Sequence, residues 1–361
     1  MTTIQQSTDA YEAWLRARLG ADLVEEDVDE KHDKMRHDSF GFLRATYWRW
    51  SEIVFAVCPD LAAAPEVLSI GDTHLENFGT WRDSEGRLVW GANDFDDAAT
   101  MPYRLDLVRL ATSAALAQTG ASPSVSAIAA AILAGYRRGL ANPKPIILER
   151  DHKWLRDAVL LENRERKKFW AKFDALEDAA APPDDKYVEA LRASLPDPGI
   201  VFRPKPRQAG TGSLGRPRFV AMVDWRGGPV LREVKALTMS AWSRHHDPAE
   251  TAIHAGTIAD GRARSPDPQY KVIGDVLVRR LSPNSRKIEV DGDLDVLLSQ
   301  EMLELMGMEI ANCHANDATI IPAILGDLVA LDKRGGEWLN TAAETMAAAI
   351  NAEQAEYAAG G

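Results

Sequence analysis

The spacing of apolar residues divides the chain into helical stretches around a strand-rich block. From about Thr8 to Ala56 apolar positions recur at intervals of three and four, as in Phe40, Leu43, Tyr47 and Trp50, and this predicts helix. The short apolar run Leu68 to Ile70, ending at Gly71, predicts a buried strand, and Leu88 to Ala92 a second. Leu105 to Gln118 and Ser124 to Leu140 predict helices, the latter opened by Ser122-Pro123. Glu149 to Leu176 reads as a charged helical stretch with a solvated face, and Ala179 to Pro198, rich in Pro, Asp and Ala, as a linker.

The texture then changes. Gly199 to Ala236 predicts strands (GIVFRPKPRQ, RPRFVAMVDW, PVLREVKA), with Asp224 to Gly228 as a hairpin turn. Lys271 to Leu281 continues the strands. Leu294 to Ala315 returns to helix, and an Ala-rich helix ends the sequence. No internal repeat is evident.

Composition narrows the function classes. A 361-residue chain with 45% hydrophobic residues has ample material for a core, so wholesale disorder is excluded. The net charge of −12 argues against a broad basic surface for nucleic acid or anionic membrane, but leaves room for a local phosphate pocket. The only cysteines, Cys58 and Cys313, give no disulfide framework and no thiolate zinc pattern, so a reducing cytoplasmic setting is expected. No signal peptide is expected at the N-terminus, and the longest apolar stretch, Val125 to Ala134, is too short to cross a bilayer.

Chemistry concentrates in two clusters. The first lies in IGDTHLENFG…NDFDDA, where Asp72 and Asn77 stand as D-x-x-x-x-N and Asp94 follows a predicted hairpin turning at Asp83 to Gly86. Phosphoryl transfer from ATP uses such a set: one Asp beside the nucleophile, and an Asn and a second Asp on magnesium. A single Asp near Gly more often marks a solvated loop; the combination of types and spacing carries the reading. Asp96 and Asp97 fit a turn beside Asp94, and His74 fits a packing hydrogen bond better than a metal site.

The second cluster is GTGSLG, with Gly210, Gly212 and Gly215 as G-x-G-x-x-G around Ser213. A dinucleotide fold would need a helix directly afterwards, but Arg216-Pro217-Arg218 leads into a predicted strand. A P-loop would need Gly-Lys-Ser/Thr, which is absent here. What remains is a glycine-rich hairpin over nucleotide phosphates, with Lys235 in LREVKA supplying charge from the next strand. A plain β-meander with an exposed lysine is the rival.

Together these segments resemble the protein-kinase-like enzymes of the aminoglycoside and choline kinase type, with their G-D-x-x-x-x-N loop, metal aspartate and P-x-x-x-D-L segment at Pro102 to Leu107. More closely, KMRHDSFGFLRAT, GDTHLENFG, NDFDDA, DLVRLATS, GTGSLG, VKA and IANCHA resemble an uncharacterised bacterial family, the domain of unknown function 2252 family, grouped with those kinases. The resemblance implies an α+β, two-lobed fold and an ATP- and magnesium-dependent phosphotransferase. Asp72 would be the base, Asn77 and Asp94 the metal ligands, Gly210, Gly212, Ser213, Gly215 and Lys235 the nucleotide site, and Asp106 the residue that fixes the catalytic loop.

Two departures shape the expectation. Asp72 precedes the glycine loop and Lys235, the reverse of the usual order, so a circularly permuted arrangement is expected. Its parts are an N-terminal helical segment (1–60), a first large-lobe part (61–177), a linker (178–199), a small β-rich lobe (200–290) and a second helical large-lobe part (291–361). The helix-borne glutamate that partners the lysine in such kinases has Glu250 as its nearest match, although Glu233 shares a strand face with Lys235. Expected partners are a nucleotide and a hydroxyl acceptor, expected to be a small molecule; Lys34, Arg36 and Arg44 are candidates for an anionic one. A nucleotide-binding module without transfer and an AMP transferase are the alternatives. A metallophosphoesterase is set aside because no H-x-H or N-H-E/D string accompanies Asp72-x-His74.

Overall fold

A computed structural model describes residues 2–360 as a mixed α+β chain, with fifteen α-helices and ten strands in three small sheets among them. Four helices open the chain: Ile4–Leu19, Glu25–His37, Ser39–Ala45 and Tyr47–Val57. Thr3 and Gln6 close a capping box on the first, satisfying two backbone N–H groups that a helix start leaves unpaired. Among the described residues no helix is long and apolar enough to cross a membrane.

The helical body is built on helix Arg104–Ala117, which is buried nearly all round, as its run of Leu, Val and Ala requires. Helix Trp338–Ala359 packs on it, and helices Val125–Ala141 and Gln300–His314 lie against each other. This last pair approaches closely because both carry glycine at the contact. A Cβ on Gly135 would stand 1.9 Å from the Glu304 carbonyl oxygen, and one on Gly307 would stand 2.1 Å from that of Ile132. One apolar core runs from Ile4 to Tyr357 and takes residues from both sides of the strand-rich block.

Strands β1 (Glu66–Ser69), β2 (Phe78–Arg82), β3 (Leu88–Ala92), β4 (Ala99–Pro102) and β5 (Ile146–Ile147) form two small sheets, β1-β4 and β2-β3-β5. Strands β6 (Lys205–Pro206), β7 (Arg218–Trp225), β8 (Gly228–Ala236), β9 (Lys271–Ile273) and β10 (Val276–Arg280) form an antiparallel sheet in the order β6-β7-β8-β10-β9. The β7–β8 hairpin turns at Arg226-Gly227, with φ of 49° and 88°, the left-handed pair whose twist suits a two-residue loop. Alternation along β8 sends Val234 and Ala236 into the core of this sheet and Glu233 and Lys235 to its other face.

Residues 178–199, expected as a linker, hold helix Asp185–Ser194 instead. Tyr187, Ala190 and Leu191 share one helical face and pack under Ala221, Val234 and Val276, giving the sheet a core of its own. Likewise the charged stretch after Glu149 is not wholly solvated: helix Asn163–Asp174 buries Phe173 against Val220 and Leu231 on the sheet's other face.

Gly135→Ala is expected to destabilise the chain by at least about 1–3 kcal/mol, because backbone must shift to admit the methyl group. Gly120→Ala, with nothing within 4 Å of its Cβ position, is expected to stay within about 0.5 kcal/mol of the parent. Urea unfolding of both variants checks the contrast.

Candidate active site

The loop that follows β1 is held by one carboxylate. Asp106, in the first turn of helix Arg104–Ala117 and fully buried, accepts from Ile70 N (2.8 Å), Gly71 N (2.9 Å) and Thr73 Oγ1 (2.9 Å). His314 Nε2 lies 3.0 Å from Asp106 Oδ2, the oxygen that also accepts from Ile70 N, and His314 Nδ1 lies 2.8 Å from the Tyr136 hydroxyl. A ring protonated at Nε2 donates to Asp106 while accepting from Tyr136. Gly71 takes φ 86°, and a Cβ there would meet the Asp97 carbonyl oxygen at 2.2 Å, so glycine is required.

This loop delivers Asp72. Its Oδ1 receives Arg109 Nε (3.0 Å) and Nη2 (2.5 Å), while Oδ2 faces the backbone of Gly212. Arg109 lies over the rings of Tyr47 (4.8 Å) and Trp50 (5.2 Å), and it also donates to the Leu43 carbonyl (2.8 Å). Burial raises the Asp72 pKa, with Arg109 opposing. Asn77 binds the two acidic loops together: its Nδ2 donates to the Asp72 (3.0 Å) and Asp94 (3.1 Å) carbonyls and its Oδ1 accepts from Asp94 N (3.1 Å). His74 caps the intervening turn by accepting from Glu76 N, and burial holds its pKa well below the usual range, which keeps it neutral.

Lys235 meets these carboxylates from the five-stranded sheet. Its Nζ is 2.6 Å from Asp96 and 3.4 Å from Asp94, and the side chain is 1% exposed. Burial alone would raise the pKa of Asp94, but Lys235, with help from Lys287 and Arg279, outweighs it and holds the carboxyl well below the usual range. Burial and the neighbouring Asp94 push Asp96 up, against Lys235 and Arg216. Glu233, beside Lys235 on the same strand face, is gripped by Arg207, Arg218 and Arg279; despite burial, they hold it low.

The glycine-rich segment arches over this group. Gly210 and Gly215 take φ of 80° and 92°. Arg218 donates to Ser213 Oγ (2.8 Å). From the opposite side Lys31 donates to the Gly212 carbonyl (3.2 Å) and Val24 N to the Gly215 carbonyl (3.1 Å), so the N-terminal helices pin the loop.

Two cavities open here. One of about 50 Å³ is lined by Asp72, Asn77, Asp94, Gly210, Gly212 and Ser213, among others. The other, about 290 Å³, is lined by Trp81, Phe95, Phe169, Phe173 and Tyr270 together with several cations. Both linings include Lys287. Thus Asp72, Asn77, Asp94, Gly210, Gly212 and Ser213 are brought together, with Lys235 on Asp94 and Asp106 beneath the loop. Gly215 faces Val28 and Leu15 instead. Glu250 does not pair with Lys235. It is a 41% exposed side chain that accepts from Ala252 N and lies 4.0 Å from His254, because the chain after β8 carries it away. The partners of Lys235 are Asp96 and, at the longer distance, Asp94. Lys34 and Arg36 pair with Glu30 and Asp33 at the surface, whereas Arg44 lines the smaller cavity and pairs with Glu76.

Sequence reasoning missed Arg109, Arg216 and Lys287. Arg109 had a signal, since it stands one helical turn after Asp106 in DLVRLATS. Lys287 had none.

Residues 23–192 match the sequence model of a family described as "Uncharacterized protein conserved in bacteria (DUF2252)". The match holds Asp72, Asn77, Asp94 and Asp106 and ends before the glycine-rich segment and Lys235. No curated protein and no solved structure matches the chain.

Asp106→Ala strands two backbone N–H groups, Thr73 and His314 in a dry interior. An expected loss of about 3–5 kcal/mol in urea unfolding follows. Native stability of that variant would show that the carboxylate does not hold the loop.

Proposed function

We propose that the chain is an ATP- and magnesium-dependent phosphotransferase acting on a hydroxyl acceptor. The observation that carries this is the smaller cavity, where Asp72, Asn77 and Asp94 converge with the Gly210–Ser213 loop, while Lys235 reaches Asp94 from a third segment. These residues belong to separated stretches of sequence, and a set of solvated loops would not gather them.

The sheet supports the same reading. The glycine-rich segment joins β6 to β7, and the lysine lies on β8, the third strand in the order β6-β7-β8-β10-β9. A kinase-like small lobe has this organisation, and helix Gln300–His314 reaches the Asp72 loop through His314 and Asp106, as a permuted large lobe requires. The larger cavity, with its aromatic walls, suits a nucleotide base.

Magnesium fits the donors. Among the described residues no group of three or more His, Cys, Asp or Glu side chains is arranged to hold a metal. Magnesium, however, is commonly held by one or two carboxylates plus substrate phosphates and water. Asp94 is ionised, offers hard oxygen and lines the cavity. The Asn77 oxygen has committed one lone pair to Asp94 N–H and keeps a second. When bound there, the ion would neutralise charge on the phosphates.

The chain's own groups do the rest. Arg109 holds Asp72 Oδ1 and turns Oδ2 to the cavity, where it accepts the proton of the acceptor hydroxyl as that oxygen bonds to the terminal phosphorus and the bridging oxygen leaves with the nucleoside diphosphate. The raised pKa of Asp72 makes it a stronger base than a free carboxylate. The glycine-rich segment brings backbone close to the phosphates without a side chain in between. The Asp72–Arg109 ion pair also favours a second reading, a module that binds nucleotide without transferring phosphate, because Arg109 opposes the rise in the Asp72 pKa and occupies one of its oxygens.

A screen of hydroxyl compounds for ATP-dependent ADP release tests the assignment. Turnover is expected with at least one compound, and Asp72→Ala and Asp94→Asn are each expected to lower it by about 100-fold or more. Turnover that survives Asp72→Ala contradicts the mechanism, and ATP binding with no turnover across the screen supports the second reading.

A further inference from the structure

Most cations around the two cavities are already paired. In the larger one Arg207 and Arg279 are tied to Glu233, Arg264 to Glu309 and Arg280 to Asp267. In the smaller one Arg44 is tied to Glu76 and Arg216 to Asp96. Lys235 itself is shared between Asp94 and Asp96. Lys287 differs: it is the one residue that lines both cavities, and its ammonium has no hydrogen bond or ion pair among the described residues.

Its position is fixed by backbone. Lys287 bridges to Gly79 on β2, Thr80 N donates to the Arg286 carbonyl (2.8 Å) and Arg286 N donates to Thr80 Oγ1 (3.0 Å). Gly79 has no room for a side chain, since a Cβ would stand 2.6 Å from the Arg286 carbonyl oxygen. The segment therefore lies flat on β2 and aims the lysine between the cavities. An ammonium there is disfavoured by burial and by Arg279, Arg44 and Lys235, and is attracted by Asp94. An unpaired, half-buried cation in a rigid frame lacks the anion that would complete it.

We infer that Lys287 grips the phosphate chain of a nucleoside polyphosphate where it passes from the larger, base-holding cavity to the smaller, transfer cavity. The inference rests on the proposed function, and it adds the residue that joins its two halves. Lys235, already shared by two carboxylates, positions Asp94 and Asp96, while Lys287 contributes the uncompensated charge that meets phosphate. A neutral base offers an ammonium far less than an anionic phosphate does, so the contribution of Lys287 scales with the phosphates present.

Isothermal titration of the full chain with ATP, ADP and adenosine, in parent, Lys287→Met and Lys287→Arg forms, tests this. The Met variant is expected to bind ATP and ADP about tenfold to a hundredfold more weakly, with adenosine affinity unchanged within about twofold, and Arg to restore most of the loss. Unchanged adenosine affinity also shows that the Met variant is folded. ATP affinity of Lys287→Met within about twofold of the parent overturns the inference alone, as does an equal loss for adenosine and ATP. A parent chain that binds none of the three overturns the proposed function, and the inference with it.

Discussion

The site depends on where one buried carboxylate finds its hydrogen bonds. Asp106 has no water to turn to, so it must collect donors from protein, and it takes them from the loop after β1 and from His314 near the other end of the sequence. That fixes the loop backbone. Arg109, one turn further along the same helix, then fixes the Asp72 side chain. Asn77 passes the geometry on to Asp94, and Asp94 meets Lys235 on the five-stranded sheet. Four contacts thus lead from the helical body to the sheet, and each constrains the next.

Charge follows the same route. Glu233 is matched by three arginines and Lys235 by two carboxylates, so the deepest ions balance one another. What remains uncompensated is at the cavity walls: the partly open face of Asp94 and the ammonium of Lys287. The total of −12 is summed over the whole chain and says little about this interior, where cations are dense. An anionic ligand and a divalent ion together would suit both leftover charges.

How far the sequence disclosed this depends on the range of the contact. The α+β character, the β7–β8 hairpin and the alternation that puts Glu233 and Lys235 on one face follow from local pattern and turn chemistry. Motif spacing singled out Asp72, Asn77, Asp94 and the glycine-rich segment, which the structure places around one cavity. Local pattern misled at 178–199, where Pro, Asp and Ala read as linker although Tyr187 and Leu191 stand four apart on a buried face. It misled again at Glu250, because pairing with Lys235 is set by how the segment after β8 packs, not by order along the chain. Lys287 sits in SPNSRKIEV, which has no periodicity to read; its importance comes from the edge of β2, more than two hundred residues earlier in the sequence.

A crystal structure of the chain with manganese and a non-hydrolysable ATP analogue tests the central claim most directly. The account predicts an anomalous manganese peak in coordination contact with the Asp94 carboxylate, phosphates beneath Gly210 to Ser213 and the base between Phe95 and Phe173 in the larger cavity. An analogue bound outside these two cavities, or manganese held away from Asp94, would contradict it.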